Sequence, residues 1–142
     1  MFERYVICEQ GFKNVSEKGQ ITGFQLLLRI ANWRGLPLSL IEDVRVRVDG
    51  ESFPRDAVRV AVGGHSFTLD EMVTRSDVRW QFDELAVITI RRAGGLTLGM
   101  HEVAVVEQIR TGLAALPTSQ LPSSMASGIA NNVATRKMTL TA

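Results

Sequence analysis

Two histidines, one cysteine, three adjacent acidic pairs and one Trp-Arg loop are the residues on which chemistry could rest in this 142-residue sequence. A metal or acid–base centre would draw on His65 or His101. His65 stands five residues before Asp70-Glu71 in HSFTLDEM. On an alternating strand His65, Phe67 and Leu69 share one face and Asp70 falls on the other, so the spacing predicts a surface polar pair, not a ligand set. An independent hydrolase built on His65 with Asp70 is the one catalytic arrangement these residues offer, and it is the weakest reading. His101, in Gly99-Met100-His101-Glu102-Val103, opens a closing strand, where a structural hydrogen bond is expected. Glu42-Asp43, Asp70-Glu71 and Asp83-Glu84 are neighbours in sequence. Neighbours on a strand point to opposite faces, so none makes an acid–base dyad. Cys8 lies in the apolar run Tyr5-Val6-Ile7-Cys8, where a thiol is inert packing. Gly63-Gly64 and Gly94-Gly95 would hold phosphate only ahead of a helix, and each reads as a turn. No nucleophile elbow, P-loop or dinucleotide fingerprint is present. No catalytic, cofactor-binding or metal-ligating residue is therefore assigned.

The loop from Ala31 to Pro37 is different. Trp33 and Arg34 sit between two strands with Gly35 beside them. Trp and Arg anchor interfaces and stack on sugars and aromatic rings. Two readings stay open: Trp33 as a plug folded over the end of the core, or Trp33 and Arg34 as a partner- or substrate-proximal contact.

The elements that must position this loop are strands. Val44, Val46 and Val48 alternate with Arg45 and Arg47, the period-2 mark of one buried and one wet face. Asp49-Gly50 after them is a hairpin turn signal. Leu26, Leu28 and Ile30 share a face, and Val58, Val60 and Val62 repeat the pattern up to Gly63-Gly64. Further strands are read at Tyr5–Cys8, Leu38–Val48, Ser66–Met72 and Ala86–Arg91, and from Leu98 onward. Lys13 to Gln20 reads as a turn. About eight short strands with turns roughly every ten residues predict an all-β fold, a single antiparallel β-sandwich. The sandwich is placed at 1–110. Residues 111–142 lack aromatics, contain Pro117 and Pro122, and end in the weakly alternating Met138–Thr141. They read as an extended C-terminal arm, partner-ordered or disordered.

Bulk properties narrow the class. The chain is 45% hydrophobic and 22% charged with net charge +1. That balance argues against nucleic acid or an anionic membrane as partner. A single cysteine, no secretory leader pattern and no run of roughly 20 apolar residues place the expectation in the cytoplasm.

The opening MFERYVICEQGFKNV, the block GFQLLLRIANWRGLPLSLIEDVRVRVDGESFP, HSFTLDEM, RWQF and GGLTLGMHEVAV, in that order and spacing, resemble the small β subunit of bacterial C-glycoside deglycosidases. The likeness runs over about 1–110. It implies a subunit of a two-chain lyase-type enzyme that cleaves the carbon–carbon bond between a 3-oxo sugar and an aromatic aglycone. It further implies an isomerase-like barrel α subunit as obligate partner, which carries a divalent metal, manganese, and the acid–base residues. The alternative is a stand-alone sugar- or aryl-binding β-sandwich module.

Overall fold

The computed structural model describes residues 5–110 and 129–141. Their elements in chain order are β1 (Lys13–Glu17), β2 (Gln20–Leu28), β3 (Leu36–Pro37), β4 (Ile41–Val48), β5 (Glu51–Ser52), β6 (Val58–Val62), β7 (His65–Thr68), the short helix α1 (Leu69–Met72), β8 (Arg79–Trp80), β9 (Ala86–Arg91), β10 (Gly99–Arg110) and β11 (Ile129–Leu140). Among the described residues these form a five-stranded sheet ordered β1-β2-β9-β6-β7, a four-stranded sheet ordered β11-β10-β4-β5, and the two-stranded ribbon β3-β8. Every pairing is antiparallel. The fold is all-β, as the alternation predicts.

One core joins the two large sheets. Phe24, Leu26 and Leu28 of β2, Val58, Val60 and Val62 of β6, and Ile88 and Ile90 of β9 come from the first sheet. Val44, Val46 and Val48 of β4 and Val103, Val105 and Ile109 of β10 come from the second. Sheets that share inward-facing residues in this way form a sandwich. Asp49-Gly50, Gly63-Gly64 and Lys18-Gly19 all have positive φ, as two-residue hairpin turns of type I′ require.

Four strand assignments change. Tyr5–Cys8 is not a strand: only Ile7 makes an isolated antiparallel bridge, to Leu28, and the flanking residues have no ladder partner to extend it. Lys13–Glu17 is strand β1 on the sheet edge, and the turn is confined to Lys18-Gly19. Leu38–Leu40 is a 3₁₀ turn that precedes β4. The segment from Thr68 leaves the strand, because Thr68 and Glu71 form a capping box that starts α1.

The expected division at 110 is corrected from Ile129 onward. β11 pairs with β10 from Arg110↔Ile129 to Gly99↔Leu140, and Ala134, Met138 and Leu140 are buried in the shared core. This stretch is a strand of the sandwich and not an arm. The physical reason is non-local: its inward residues find their complement on β10, which the stretch cannot show by itself. Residues 111–128 of the expected arm lie outside the described residues.

Candidate functional site

The loop after β2 is built to a fixed shape. Asn32 Oδ1 accepts the Arg34 N–H at 3.0 Å, and the Gly35 N–H donates to the Asn32 carbonyl at 3.3 Å. Asn closes turns of this kind with its own side chain. Gly35 has φ +67°, and a Cβ there would lie 2.6 Å from the Trp80 carbonyl oxygen. Only glycine meets both conditions. The chain then pairs Leu36↔Trp80 and Pro37↔Arg79. The Arg79 guanidinium donates back to the carbonyls of Arg34 and Gly35 at 3.3 and 3.4 Å.

The two tryptophans divide the roles left open by the sequence. Trp80 is the core plug: it is fully buried, and its indole N–H donates to the Glu84 carbonyl at 2.9 Å. Trp33 is 63% exposed. Its ring lies 5.3 Å from that of Phe82, and Phe82 stacks on Tyr5 at 5.4 Å. The Arg29 guanidinium covers Tyr5 at 5.3 Å and pairs with Asp83 at 3.2 Å. Arg34 is exposed beside Trp33. The result is a row of three rings, Trp33-Phe82-Tyr5, at one end of the sandwich. Phe82 within the row, and Leu85 three residues after it, are also exposed.

Glu107 underlies the loop, and sequence reasoning missed it. It lies on the inward face of β10 in the series Val103, Val105, Glu107, Ile109. Its side chain is fully buried, and Oε1 accepts the Ala31 N–H at 2.8 Å. Burial pushes its pKa up to about 8, opposed by the Ala31 hydrogen bond. The signal was parity: every second residue of that strand is inward, and Glu107 falls on the buried parity.

His101 makes the structural bonds its position predicts. Its Nδ1 is 2.6 Å from Asp49 Oδ2 and its Nε2 is 2.6 Å from the Thr97 carbonyl oxygen. Two acceptors favour the doubly protonated ring, in which both nitrogens donate. Burial disfavours that charge, but the Thr97 carbonyl and Asp49 outweigh it and the His101 pKa is raised. Asp49 is lowered by the Glu102 N–H and by His101. The His101 contribution to stability is therefore complete below the unfolded value of about 6.5 and is lost as pH rises through the folded value. The Asp49 contribution is present above about 3.9 and is lost on acidification. Melting temperature against pH is expected to separate wild type from His101→Gln most in the interval between. A gap between the two curves that widens on the alkaline side would show that His101 is held neutral.

The remaining candidates are occupied or apart. His65 is exposed, and Asp70 is 2.9 Å from Arg55 instead. Glu42 pairs with Arg110, Asp43 with Arg45 and Arg55, and Asp83 with Arg29. Glu71 caps α1, and Glu84 accepts the Gln81 N–H. Cys8 is buried and unbridged. Among the described residues no three of His, Cys, Asp or Glu gather as a metal-ligand set. A divalent cation has no fitting donor set among them. No described helix is long and apolar enough to cross a membrane.

Comparison with known proteins bears on the assembly. Residues 2–112 match the family described as C-glycoside deglycosidase beta subunit. A C-glycoside deglycosidase beta subunit of Eubacterium cellulosolvens is 32% identical over 102 residues, which cover 71% of this chain and 69% of the relative. A 3'-dehydrocarminate deglycosidase beta subunit of a Microbacterium species is 36% identical over 107 residues, covering 74% and 77% respectively.

Proposed function

The chain belongs to the C-glycoside deglycosidase beta subunit family, and from that premise we propose that it is the accessory subunit of a heteromeric lyase acting on C-glycosides. The bond cleaved is the carbon–carbon bond between a 3-oxo sugar and an aromatic aglycone. The ketone acidifies the proton on the neighbouring ring carbon. Removal of that proton by a base lets the electron pair expel the aglycone, which takes up a proton as it leaves. A barrel-type α subunit carries the base. A divalent metal there, manganese by family resemblance, supplies polarisation of the ketone. The complex works in the cytoplasm, where an unbridged Cys8 is stable.

One observation carries the role of this chain: the row Trp33-Phe82-Tyr5, exposed at its Trp33 end, where the indole sits on a loop fixed by Gly35 and Arg79. Rigid aromatic surface with an adjacent Arg34 is what protein interfaces use as anchors. We assign Trp33 and Arg34 to the α-subunit interface. Truncating an anchor of this kind costs about 2 kcal/mol or more, roughly thirtyfold in affinity.

The expected result for Trp33→Ala is a melting temperature close to that of the wild-type chain and at least tenfold weaker pairing in co-expression with the α subunit. Wild-type pairing and turnover would remove Trp33 from the interface. The same platform suits a stacked sugar or aryl ring, which is the stand-alone binding reading. That reading gains if the isolated chain binds a C-glycoside with an affinity that Trp33→Ala abolishes.

A further inference from the structure

Among the described residues, three polar or charged side chains are buried: Asp43, His101 and Glu107. Asp43 meets Arg45 at 2.8 Å and Arg55 at 3.2 Å. His101 is bonded at both ring nitrogens. Glu107 is satisfied at one oxygen only. Its Oε1 holds the Ala31 N–H, and its Oε2 is buried with no hydrogen-bond partner. A half-satisfied buried carboxyl is costly and calls for an explanation.

Its surroundings are neutral. Val44 of β4 and Asn132 of β11 stand in register with it, and neither titrates. Val105 and Ile109 flank it on the inner face of β10. From the loop it meets the Ala31 backbone. The nearby charges on the same elements are committed elsewhere. On β4, Asp43 and Arg45 pair with each other. On β11, Arg136 donates to the Ile7 carbonyl and pairs with Glu9. Beyond β2, Arg29 serves Tyr5 and Asp83.

We propose that Glu107 is a positioning residue for the partner-facing loop: its neutral carboxyl tethers Ala31 to the inside of β10, and its ionisation releases Trp33 and weakens subunit pairing. The proposal rests on the assignment of Trp33 to the interface. The mechanical argument is one of relative restraint. β4 and β11 are laddered to β10 along their lengths and cannot open locally without breaking several bonds. The chain at Ala31–Gly35 has no ladder of its own: apart from the burial of Ala31, isolated bonds give it its shape, among them the one to Glu107 itself. A carboxylate formed at this place needs a donor or water for Oε2, and the loop is the piece that can give way. The sign follows from the direction of the shift. An unfolded glutamate ionises near about 4.3, while burial holds Glu107 protonated up to about 8. The tether is thus intact at neutral pH and is lost on the alkaline side.

The experiment is nuclear magnetic resonance of the full chain on either side of pH 8, with the Trp33 indole signal told from that of Trp80 by Trp33→Phe. Wild type is expected to show Trp33 and the Ala31 amide shifting together in one transition. Glu107→Gln keeps an oxygen for the Ala31 N–H and removes the ionisation, so both signals should stay flat. Pairing with the α subunit is expected to weaken by up to about tenfold per pH unit above the midpoint, as one-proton linkage requires, and to be level in the variant. A wild-type Trp33 signal that does not titrate overturns the proposal, whether or not the variant folds. A transition that survives in Glu107→Gln belongs to His101 or another group and overturns it equally. A Trp33 transition with pairing unchanged confirms Glu107 as the positioner of the loop and removes that loop from the interface.

Discussion

A chain ended after Gly112 is expected to lose its cooperative fold. β11 contributes the whole of one side of β10, from Arg110↔Ile129 to Gly99↔Leu140. Its inward residues Ala134, Met138 and Leu140 are 2%, 2% and 1% exposed. Burial of a Met or Leu side chain is worth about 1.5–3 kcal/mol each, and each ladder hydrogen bond adds about 1 kcal/mol net. Removal of the strand also uncovers the β10 edge and the fully buried Glu107. The bonds from Arg136 to the Ile7 carbonyl and Glu9, which tie the described start of the chain to this sheet, are removed with the strand. The total approaches or exceeds the roughly 5–15 kcal/mol by which domains are stable. Far-ultraviolet circular dichroism on heating is the measurement. No cooperative transition is expected. A melt within a few degrees of the full chain would make β11 peripheral, and would restore the view of 111–142 as an arm. Substitution on the outward face of the same strand, such as Val133→Thr, is the control and should cost little, because Val133 is exposed.

The strands were legible where one face is apolar and the other charged. Val44, Val46 and Val48 against Arg45 and Arg47 leave one register that buries the valines, and the structure has it. β1 was not legible because its sequence, KNVSE, has one apolar residue and sits on an edge, where backbone pairing alone decides. β11 was hidden for a related reason. Thr, Asn and Lys dominate its outer face, and its inner face is read only against β10. α1 could have been found, since Thr68 and Glu71 have capping-box spacing. The site was half legible. Asn32 and Gly35 mark a shaped loop, but composition does not say which of Trp33 and Trp80 is inside. The answer depends on Phe82 and Tyr5, which arrive from distant parts of the chain. Glu107 is readable by parity alone, but a glutamate in a strand is so often solvated that parity by itself does not mark it as buried.

Val46→Asp is expected to abolish folding, while Arg47→Ala leaves it intact. The two positions are adjacent on β4 and differ in which side of the sheet they face. Val46 is 4% exposed, stands in register with Val105, and belongs to the core shared by both sheets. A carboxylate there has no cation in register and costs several kcal/mol, on top of about 1–3 kcal/mol of lost apolar packing. Either neutralisation or unfolding must follow, and the sum is comparable to the stability of a whole domain. Arg47 is exposed, and its guanidinium donates to Ser52 Oγ at 3.3 Å. Loss of that surface bond should stay within about 0.5 kcal/mol. Arg45→Ala removes the pair with Asp43, but Arg55 still holds Asp43 at 3.2 Å, so the effect should stay below about 1 kcal/mol. Val60→Asp tests the opposite sheet: Val60 is fully buried between Phe67 and Ile88 and should fail as Val46→Asp does. Soluble yield and calorimetric melting distinguish the cases. Soluble, cooperatively melting Val46→Asp protein would mean that the valine face is not the inside of the sandwich. If Arg47→Ala melts normally alone but fails to assemble, the outer face of β4 joins the Trp33 loop as partner surface, and the alternation that built the fold also built the interface.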